Sequence, residues 1–549
     1  MNVTSKPASM DFLSFPCRRE LRGNDEGKVI VWSIAGNDSA GGAGLSADAR
    51  AAAAFGVHLC PVAAAVTAQN SRAVTQVQPV TPDLLDAQLA ALADDMPPAA
   101  VKTGLLGGAA NIAVVARWID RLRERGPVAL VVDPVLGAST GAAFADAAAL
   151  RAYRDLLLPR ATLVTPNVRE ARALAGEAAA PDDVPALARQ LKASGAQSVA
   201  VTGGDEPLAP GWSLDWITTP HASGWLALPR VATPHTHGTG CTFATSAAAA
   251  LALGYPPADV LALAKMATTH ALHGGYAAGQ GAGPVAAQAG FAARPDLLPF
   301  MSWDENFNSD SCLSRKNMGK RPISSSEIGL YAIVDSAERV RQAVAAGART
   351  VQLRIKTPAA PDAAWPALLR QSIAQALAAC NAAGAALIVN DHWRLALEAG
   401  ASTVHLGQED LLALGQAGRA ELAASGLRLG ISSHSLWELC RARALRPWYV
   451  ACGPVWPTLT KDMPWLPQGL DNLAWWARMA GVPVAAIGGI LEPDQLTQAA
   501  RTGASGVCVV RGLGADPAQT LPRWQAALAE GRAAPPLPAP ELPHPVLAG

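Results

Sequence analysis

Residues 29–55, VIVWSIAGNDSAGGAGLSADARAAAAF, contain the pattern of strand and helix from which the fold can be predicted. A Val/Ile-rich run, Val29–Ala35, leads through a glycine-rich loop into an Ala/Leu-rich stretch of helical length, Leu45–Phe55. The alternation recurs from Ala129–Asp133 to Ala147–Leu157. Because strands that alternate with helices usually lie parallel, this half of the chain is predicted to form an α/β domain with a parallel sheet covered by helices.

A second series of strand and helix patterns follows a polar interruption between about Pro295 and Glu327, which we interpret as a linker. Eight strand-like runs, each followed by a helix-like one, fit into roughly 220 residues, and this rhythm predicts a (β/α)8 TIM barrel. The runs are Leu330–Asp335, Thr350–Lys356, Ala386–Asp391, Thr403–Gly407, Leu427–Ser432, Trp448–Gly453, Val482–Ile487 and Gly506–Val510.

The chain is therefore expected to contain five regions. Proline-rich composition between Pro535 and Pro545 predicts that the last of them is disordered. The predicted limits are 1–27 for an N-terminal extension, 28–293 for the first domain, 294–327 for the linker, 328–530 for the barrel domain and 531–549 for a proline-rich tail.

Length, charge and cysteine content exclude several classes of protein. The 549 residues contain 44 Lys and Arg against 44 Asp and Glu, so no net charge attracts nucleic acid or an anionic membrane, and neither is an expected partner. Hydrophobic residues make up 50% and charged residues 16%, which is typical of a globular chain. There is no apolar run of membrane-spanning length, no signal-peptide pattern and no C-x-x-C pair, so we expect a reducing cytoplasm. The sequence leaves the oligomeric state open, including a homo-oligomer.

Two glycine-rich segments of the first domain indicate a ligand site. The loop Ala35–Gly44 allows close backbone approach to a ligand, although a structural turn explains it equally well and it lacks the G-x-G-x-x-G pattern of dinucleotide folds. The segment Thr236–Thr242 leads straight into an apolar helical stretch, so its glycines present free N–H groups to a phosphoryl oxygen. Cys241 lies at this helix start, where the pKa of a thiol is expected to be lowered; the alternative is a buried, inert cysteine. No Walker motif is present.

Polar residues after the barrel strands indicate a second site. Alternation places Gln352, Arg354 and Lys356 on one face of a strand, where the two cations can hold a polyphosphate. Asp391 and Asp410 follow two successive strands and can offer two carboxylates to one Mg²⁺. Pro457–Lys461 adds hydroxyls and a third cation, and Gly488-Gly489 offers N–H groups to a phosphate. Polar strand ends also occur simply because strands emerge into water, but the set as a whole predicts a diphosphate ester that meets a monophosphate.

Five motifs in order give the first domain a family resemblance. They are Ala35–Gly44, Ala68-Gln69-Asn70, Asp133-Pro134-Val135, Thr165–Glu170 and His237–Thr242. Together they resemble the hydroxymethylpyrimidine/phosphomethylpyrimidine kinases of thiamine biosynthesis, from about Lys28 to Val285. The resemblance implies a ribokinase-like α/β/α domain that uses ATP and Mg²⁺.

By this resemblance Asp48 and Gln69 bind the aminopyrimidine. Asn167, Glu170 and Thr202 belong to the nucleotide site, with Glu170 also at the metal. Cys241 is the catalytic residue, in the place of the aspartate base of sugar kinases, and it completes an anion hole formed by Gly238, Thr239 and Gly240. Ser139, Leu105 and Asp205 stand where family members often carry lysine, methionine and histidine.

The second half resembles thiamine phosphate synthases from about Gly329 to Trp524. That resemblance implies that hydroxymethylpyrimidine diphosphate loses pyrophosphate and that the resulting pyrimidine cation is captured by thiazole phosphate. It also implies residue roles: Arg354, Lys356, Asn390 and Lys461, beside Gln352, hold the pyrimidine diphosphate; Asp391 and Asp410 bind Mg²⁺; Ser432 and Lys461 assist catalysis; and Thr458, Thr460, Gly489, Val510 and Arg511 contact thiazole phosphate. Ile355 and Arg511 depart from the usual family residues.

The two resemblances predict a bifunctional enzyme whose first domain makes the diphosphate that the second consumes. Its substrates are then small molecules: hydroxymethylpyrimidine, its phosphates and thiazole phosphate. Three alternatives remain open from sequence: a pyridoxal-type vitamin kinase in the first domain, a thiazole tautomerase-like barrel in the second, and a non-catalytic pyrimidine sensor.

Overall fold

A computed structural model describes residues 27–137, 144–176, 183–204, 208–307, 328–458 and 464–547. The chain forms two compact units that interleave along the sequence. One unit contains residues up to Ser223 and Arg230–Ala289, and the other contains Gly224–Pro229 and Gly290–Val546. The predicted α/β and (β/α)8 architectures are both confirmed, one in each unit.

The first unit is built on a mostly parallel sheet with the strand order β8-β7-β6-β5-β4-β1-β2-β3. Strands β1 to β7 run parallel except for β3, which pairs antiparallel with β2, and β8 is antiparallel to β7. The strands are β1 Ile30–Asp38, β2 His58–Gln69, β3 Val74–Pro79, β4 Ala100–Thr103, β5 Ala129–Val132, β6 Leu163–Val164, β7 Val199–Thr202 and β8 Trp212–Thr218.

Helices connect most of these strands, and the longer helices bury apolar residues. Predicted Leu45–Phe55 corresponds to α1, whereas predicted Ala147–Leu157 is an α-helix only to Ala152 and continues as a π-helical turn. The helices are α1 Gly44–Ala54, α2 Pro82–Ala93, α3 Ala109–Arg125, α4 Ala147–Ala152, α5 Val168–Ala175, α6 Val184–Ala193, α7 Thr239–Ala252 and α8 Pro257–His273.

The strand order of the first unit locates its ligand crevice. From β1 the chain proceeds to β2 on one side, whereas β4 lies on the other side of β1 and is followed by β5 further out. In open α/β sheets a ligand binds beyond the carboxyl ends of the strands where the order reverses in this way. The loops after β1 and β4 therefore border the expected site.

The second unit contains a closed barrel of eight parallel strands, all within a few residues of the predicted runs. Its interior is filled by buried side chains such as Ile388, Tyr449 and Ala485. The barrel strands are β11 Gly329–Val334, β12 Thr350–Leu353, β13 Ala386–Asn390, β14 Thr403–Leu406, β15 Arg428–Ser433, β16 Tyr449–Cys452, β17 Val484–Ala486 and β18 Gly506–Val509. Two further strands of the chain are β9 Ser223–Pro229 and β10 Phe300–Met301, which pair antiparallel.

The barrel helices follow the strands in the predicted alternation. They are α9 Ala337–Ala345, α10 Trp365–Ala383, α11 Trp393–Glu398, α12 Gln408–Ala413, α13 Gly415–Ala424, α14 Leu436–Ala444, α15 Gly469–Met479, α16 Pro493–Arg501 and α17 Pro517–Ala533. Among the described residues no helix has both the length and the apolar character needed to cross a membrane.

Two segments expected to lack structure are packed on the second unit. Residues 294–307, part of the predicted linker, include strand β10 and Trp303, whose indole N–H donates to the carbonyl of Arg441 at 2.9 Å. In the proline-rich tail the N–H of His544 donates to the side chain of Asn472 at 2.7 Å, and Val546 is buried. Proline-rich composition predicted disorder because prolines cannot build a hydrogen-bonded element, but a few specific partners hold this tail.

Candidate active sites

The two glycine-rich segments of the first unit meet in the structure. Gly238 adopts a left-handed conformation with φ of 87°, and a Cβ atom placed on it would lie 2.2 Å from the carbonyl oxygen of Gly42. Only glycine fits both the dihedral angle and this close approach. The predicted loops therefore border one site at the crevice beside β1.

Asp38 and His237 connect the two loops by a hydrogen bond. Both lie in the quoted motifs, but neither was assigned a role from the sequence. The carboxylate of Asp38 accepts from the N–H groups of Gly42 and Ala43 at 3.0 and 2.8 Å, and it lies 2.9 Å from His237 Nε2. Burial acts to raise the pKa of Asp38, but the hydrogen bond from His237 and those from backbone N–H groups outweigh it, so the pKa is lowered. Gln69 lies beside this pair, with 3.3 Å between its Nε2 and His237 Nε2.

Helix α7 begins at Thr239, directly after Gly238, as the glycine pattern predicts. Cys241 is therefore in its first turn, where the leading N–H groups have no partner within the helix. The expected lowering of the thiol pKa is wrong: burial raises the pKa of Cys241 to about 12, although the neighbouring ammonium of Lys102 acts against it. Desolvation therefore destabilises the thiolate more than the helix terminus and the Lys102 cation stabilise it.

Asp48 does not face an open site, which corrects its expected contact with the pyrimidine. Its side chain is fully buried, and both oxygens lie 3.1 Å from the ammonium of Lys102. The hydroxyls of Ser33 and Thr245 also donate to it, at 2.6 and 2.7 Å. Asp48 therefore holds Lys102 as a buried cation behind the anion hole, and the ammonium of Lys102 lies 3.7 Å from Asp133.

Asp133, directly after β5, has the features of a metal ligand. Its Oδ2 is buried and, apart from the Lys102 ammonium at 3.7 Å, has no hydrogen-bond partner among the described residues. The hydroxyls of Thr103, which ends β4, and Thr165, which follows β6, are likewise buried without a hydrogen-bond partner there. Burial raises the pKa of Asp133 to about 6, against the attraction of Lys102. An acidic oxygen with unused lone pairs fits Mg²⁺, which prefers carboxylate and phosphate oxygens.

Asn167 and Glu170 form a capping box at the start of α5. The Asn167 side chain accepts from the N–H of Glu170 at 2.9 Å, and the Glu170 carboxylate accepts from the N–H of Asn167 at 3.0 Å. The same carboxylate accepts from the N–H of Leu136 at 3.4 Å, and the N–H of Thr202 donates to Pro166. The three predicted nucleotide-site residues therefore line neighbouring strand ends beside Asp133, and both Asn167 and Glu170 also support the helix start.

In the barrel, the predicted metal pair comes together after β13 and β14. The pKa of Asp391 is raised, first by desolvation and then by the like charge of Asp410, while Arg354 opposes the shift. Both carboxylates line a pocket of about 360 Å³. No group of three or more acidic, histidine or cysteine side chains suited to a metal occurs in the described part of the chain. Two carboxylates fit Mg²⁺ when substrate oxygens complete its coordination.

The cations expected on the face of β12 lie just beyond it. The strand ends at Leu353, so Arg354 is partly exposed and Lys356 exposed in the following loop, whereas Gln352 remains inside the strand and is buried. Strand pairing stops here because β11 also ends, at Val334, whose carbonyl accepts from the Arg354 N–H. All three nevertheless belong to the strand-end rim, as does the buried Asn390.

Other predicted residues lie on the same strand-end rim of the barrel. Ser432 is in β15 and lies 2.8 Å from Nε2 of His405, a residue that the sequence did not single out. Gly489 has a positive φ of 74° after β17, Val510 is exposed after β18, and Arg511 begins a 3₁₀ turn there. Thr458 ends the described range 328–458, while Thr460, Lys461, Ser139 and Asp205 lie outside the described residues.

Comparison with known proteins assigns a class to each half of the chain. A family model described as phosphomethylpyrimidine kinase matches residues 38–286, and one described as thiamine monophosphate synthase matches residues 330–513. Fold and sites thus define a protein with an α/β kinase domain and a TIM-barrel synthase domain.

Individual relatives are consistent with both halves. A probable thiamine biosynthetic bifunctional enzyme of Oryza sativa subsp. japonica, described as chloroplastic, is 34% identical over 479 residues, 84% of this chain and 81% of its own. A hydroxymethylpyrimidine/phosphomethylpyrimidine kinase of Synechococcus elongatus is 42% identical and aligns with 47% of this chain and 96% of its own length. A thiamine-phosphate synthase of Rhizobium etli is 45% identical and aligns with 37% of this chain and 96% of its own length. The chain belongs to the family of bifunctional thiamine biosynthesis enzymes.

Proposed function

We propose that the first unit phosphorylates hydroxymethylpyrimidine and then its monophosphate with ATP, and that the second couples the resulting diphosphate to thiazole phosphate. The observation that carries this proposal is the meeting of the two glycine segments at the start of α7, beside the buried cation Lys102 and the carboxyl of Asp133. Phosphoryl transfer needs mainly positioning and charge neutralisation, and this set of groups provides both.

In the kinase site, the unpaired N–H groups at the start of α7 are expected to bind oxygens of the transferred phosphoryl group. Cys241 carries its proton at neutral pH because its pKa is raised to about 12. It therefore orients the substrate hydroxyl by hydrogen bonding and does not act as a thiolate base in the resting enzyme. Such a role suffices because phosphoryl transfer requires little activation of the attacking oxygen.

Asp133 and Glu170 are the proposed kinase residues for Mg²⁺, and Asp391 and Asp410 those of the synthase. When bound, Mg²⁺ supplies positive charge that neutralises phosphate oxygens. In the barrel, Arg354 and Lys356 are proposed to hold the diphosphate, and pyrophosphate leaves as its bond to the pyrimidine methylene carbon breaks. The ring nitrogen of thiazole phosphate then bonds to that carbon.

The remaining proposals concern the setting of the enzyme. No disulfide is formed by Cys60, Cys241, Cys380, Cys452 or Cys508 in the described part of the chain, which supports the reducing cytoplasm proposed for the protein. Consecutive active sites in one chain raise the chance that the diphosphate meets the second site. The proposed partners are small molecules, without nucleic acid or a membrane. The proposal also allows a homo-oligomer.

A crossed pair of substitutions tests the assignment. Cys241→Ala should abolish kinase turnover and leave intact the synthesis of thiamine phosphate from supplied diphosphate; Asp410→Ala should do the reverse. Matched controls are Cys60→Ala, a buried cysteine in β2, and Asp494→Ala, another acid in the first turn of a barrel helix.

Four results would contradict parts of the proposal. Loss of both activities in both variants excludes two separate sites, and turnover of pyridoxal alone identifies a pyridoxal-type kinase. A wild-type barrel that makes no thiamine phosphate from supplied substrates points to a tautomerase-like function. Absence of any turnover by the chain points to a sensor.

A further inference from the structure

A chain of hydrogen bonds crosses the interior of the barrel and ends at Ser432. Gln352 Nε2 lies 2.8 Å from the Tyr331 hydroxyl oxygen, which lies 2.7 Å from that of Tyr449. The Tyr449 oxygen lies 2.8 Å from His405 Nδ1, and His405 Nε2 lies 2.8 Å from Ser432 Oγ. The five residues come from five different strands, and we call them the Gln352–Ser432 chain.

Burial makes this chain sensitive to any missing partner. Gln352, Tyr331, Tyr449 and His405 have between 0% and 6% of their surface exposed, while Ser432 is partly exposed at the strand-end rim. A buried polar group without a partner is costly, so all the groups are expected to remain paired. Only Ser432 has a hydroxyl that can reach a ligand.

The donors along the chain determine its direction. An amide nitrogen can only donate, so the Tyr331 oxygen accepts from Gln352 and its own hydrogen is directed to Tyr449. Tyr449 in turn donates to His405 Nδ1. A neutral imidazole with Nδ1 as acceptor carries its hydrogen on Nε2, and that hydrogen is donated to Ser432 Oγ.

The contacts of His405 agree with a neutral ring. Its two ring nitrogens face hydroxyl oxygens, that of Tyr449 at Nδ1 and that of Ser432 at Nε2, and the residue is only 6% exposed. Burying a charged ring against neutral hydroxyls is costly, so the ring has one N–H, and the position of that N–H is set by what the other nitrogen accepts.

We propose that the Gln352–Ser432 chain keeps Ser432 Oγ as an acceptor from His405, so that the Ser432 hydrogen is free to donate to an acceptor atom of the bound pyrimidine diphosphate. His405, Tyr449 and Tyr331 are thus positioning residues for the synthase reaction. This inference rests on the proposed place of Ser432 in that site and adds a direction and three residues to it.

Two variants alter the chain in different ways. Gln352→Glu replaces the terminal donor by a carboxylate that only accepts, which reverses every hydrogen bond and turns the Ser432 hydrogen back to His405. Tyr449→Phe interrupts the chain at a fully buried residue that cannot touch substrate. Tyr153→Phe, a buried tyrosine of the first unit, is the matched control.

The direct measurement is the tautomer of His405, read from ring ¹⁵N chemical shifts in the histidine-labelled full-length protein and assigned by the signal missing in His405→Gln. We expect hydrogen on Nε2 in the wild type, on Nδ1 in Gln352→Glu, and a mixture in Tyr449→Phe. Hydrogen on Nδ1 in the wild type would overturn the proposal, and this result does not depend on whether the barrel has synthase activity.

The kinetic measurement uses supplied diphosphate and thiazole phosphate with the full-length chain. Tyr449→Phe should lower kcat about 10-fold, as the loss of one hydrogen bond implies, with the KM for thiazole phosphate unchanged. Adding Ser432→Ala to Tyr449→Phe should cause no loss beyond that of Ser432→Ala alone, because both changes remove the same donor. Unchanged kcat in a folded Tyr449→Phe variant, or additive losses, would also overturn the proposal. A wild-type chain without synthase turnover instead refutes the proposed function.

Discussion

Lys102→Met is expected to destabilise the kinase unit strongly. Lys102 has no exposed surface and lies 3.1 Å from both oxygens of Asp48. Burial acts to lower the pKa of Lys102, but the charges of Asp48 and Asp133 outweigh it and raise that pKa, so the ammonium remains charged. Methionine keeps the length and removes the charge, which leaves the Asp48 carboxylate buried without its counter-ion.

The expected magnitude follows from the burial of both partners. Removing one partner of a buried ion pair typically costs about 3–5 kcal/mol. Because Ser33 and Thr245 still donate to Asp48, we expect the lower part of that range. The double variant Lys102→Met, Asp48→Asn leaves only Asp133, 3.7 Å from the lost ammonium, without this counter-ion. It should therefore regain part of the lost stability, since replacing a buried pair by neutral groups is often close to neutral.

Hydrogen exchange of the full-length chain, followed by mass spectrometry of peptides that cover β4, measures this loss within one unit. A loss of about 3 kcal/mol corresponds to exchange faster by about two orders of magnitude. Lys28→Met removes an exposed lysine just before β1 and serves as the control. Exchange in Lys102→Met that matches this control, or a double variant that exchanges as fast as the single one, would refute the reasoning.

Two further predictions concern the same unit. In magnesium-free protein, the pKa of Asp133 rises from 3.8 in the unfolded chain to about 6 in the folded one. Protonation of Asp133 therefore stabilises the fold by about 3 kcal/mol, a contribution that is fully present below pH 3.8 and is lost as the pH rises through 6. Hydrogen exchange of β5 amides should show this pH dependence in the wild type and not in Asp133→Asn. Gly238→Ala should remove kinase turnover and spare synthase turnover, because the new Cβ meets Gly42 at 2.2 Å; Gly56→Ala, which has a positive φ but no such contact, should retain both activities, and an active Gly238→Ala kinase would contradict the argument.

The architecture was predictable because it follows from local patterns. Each of the eight barrel strands was found within a few residues of its predicted run, since strand and helix periodicity is a property of neighbouring residues. The glycine segments around Gly42 and Gly238 also signalled the kinase site, because a close approach requires glycine whatever the partner is.

What escaped prediction depends on partners far apart in the sequence. Lys102 lies 54 residues from Asp48, and His405 lies 44 residues from Tyr449, so neither pair forms a local pattern. The thiol of Cys241 shows the same limit: its helix position was evident, but its burial, which decides its pKa, is a property of the folded unit.

The interleaved order of the two compact units restricts how the activities can be separated. Residues 224–229, which form most of strand β9, group with the second unit but lie within residues 38–286, the segment that matches the kinase family model. Residues 290–307 also group with the second unit, and Trp303 among them donates to the carbonyl of Arg441. A separate kinase should therefore keep β9 and end near residue 289, whereas a cut within 308–327 would remove residues 290–307 from the barrel.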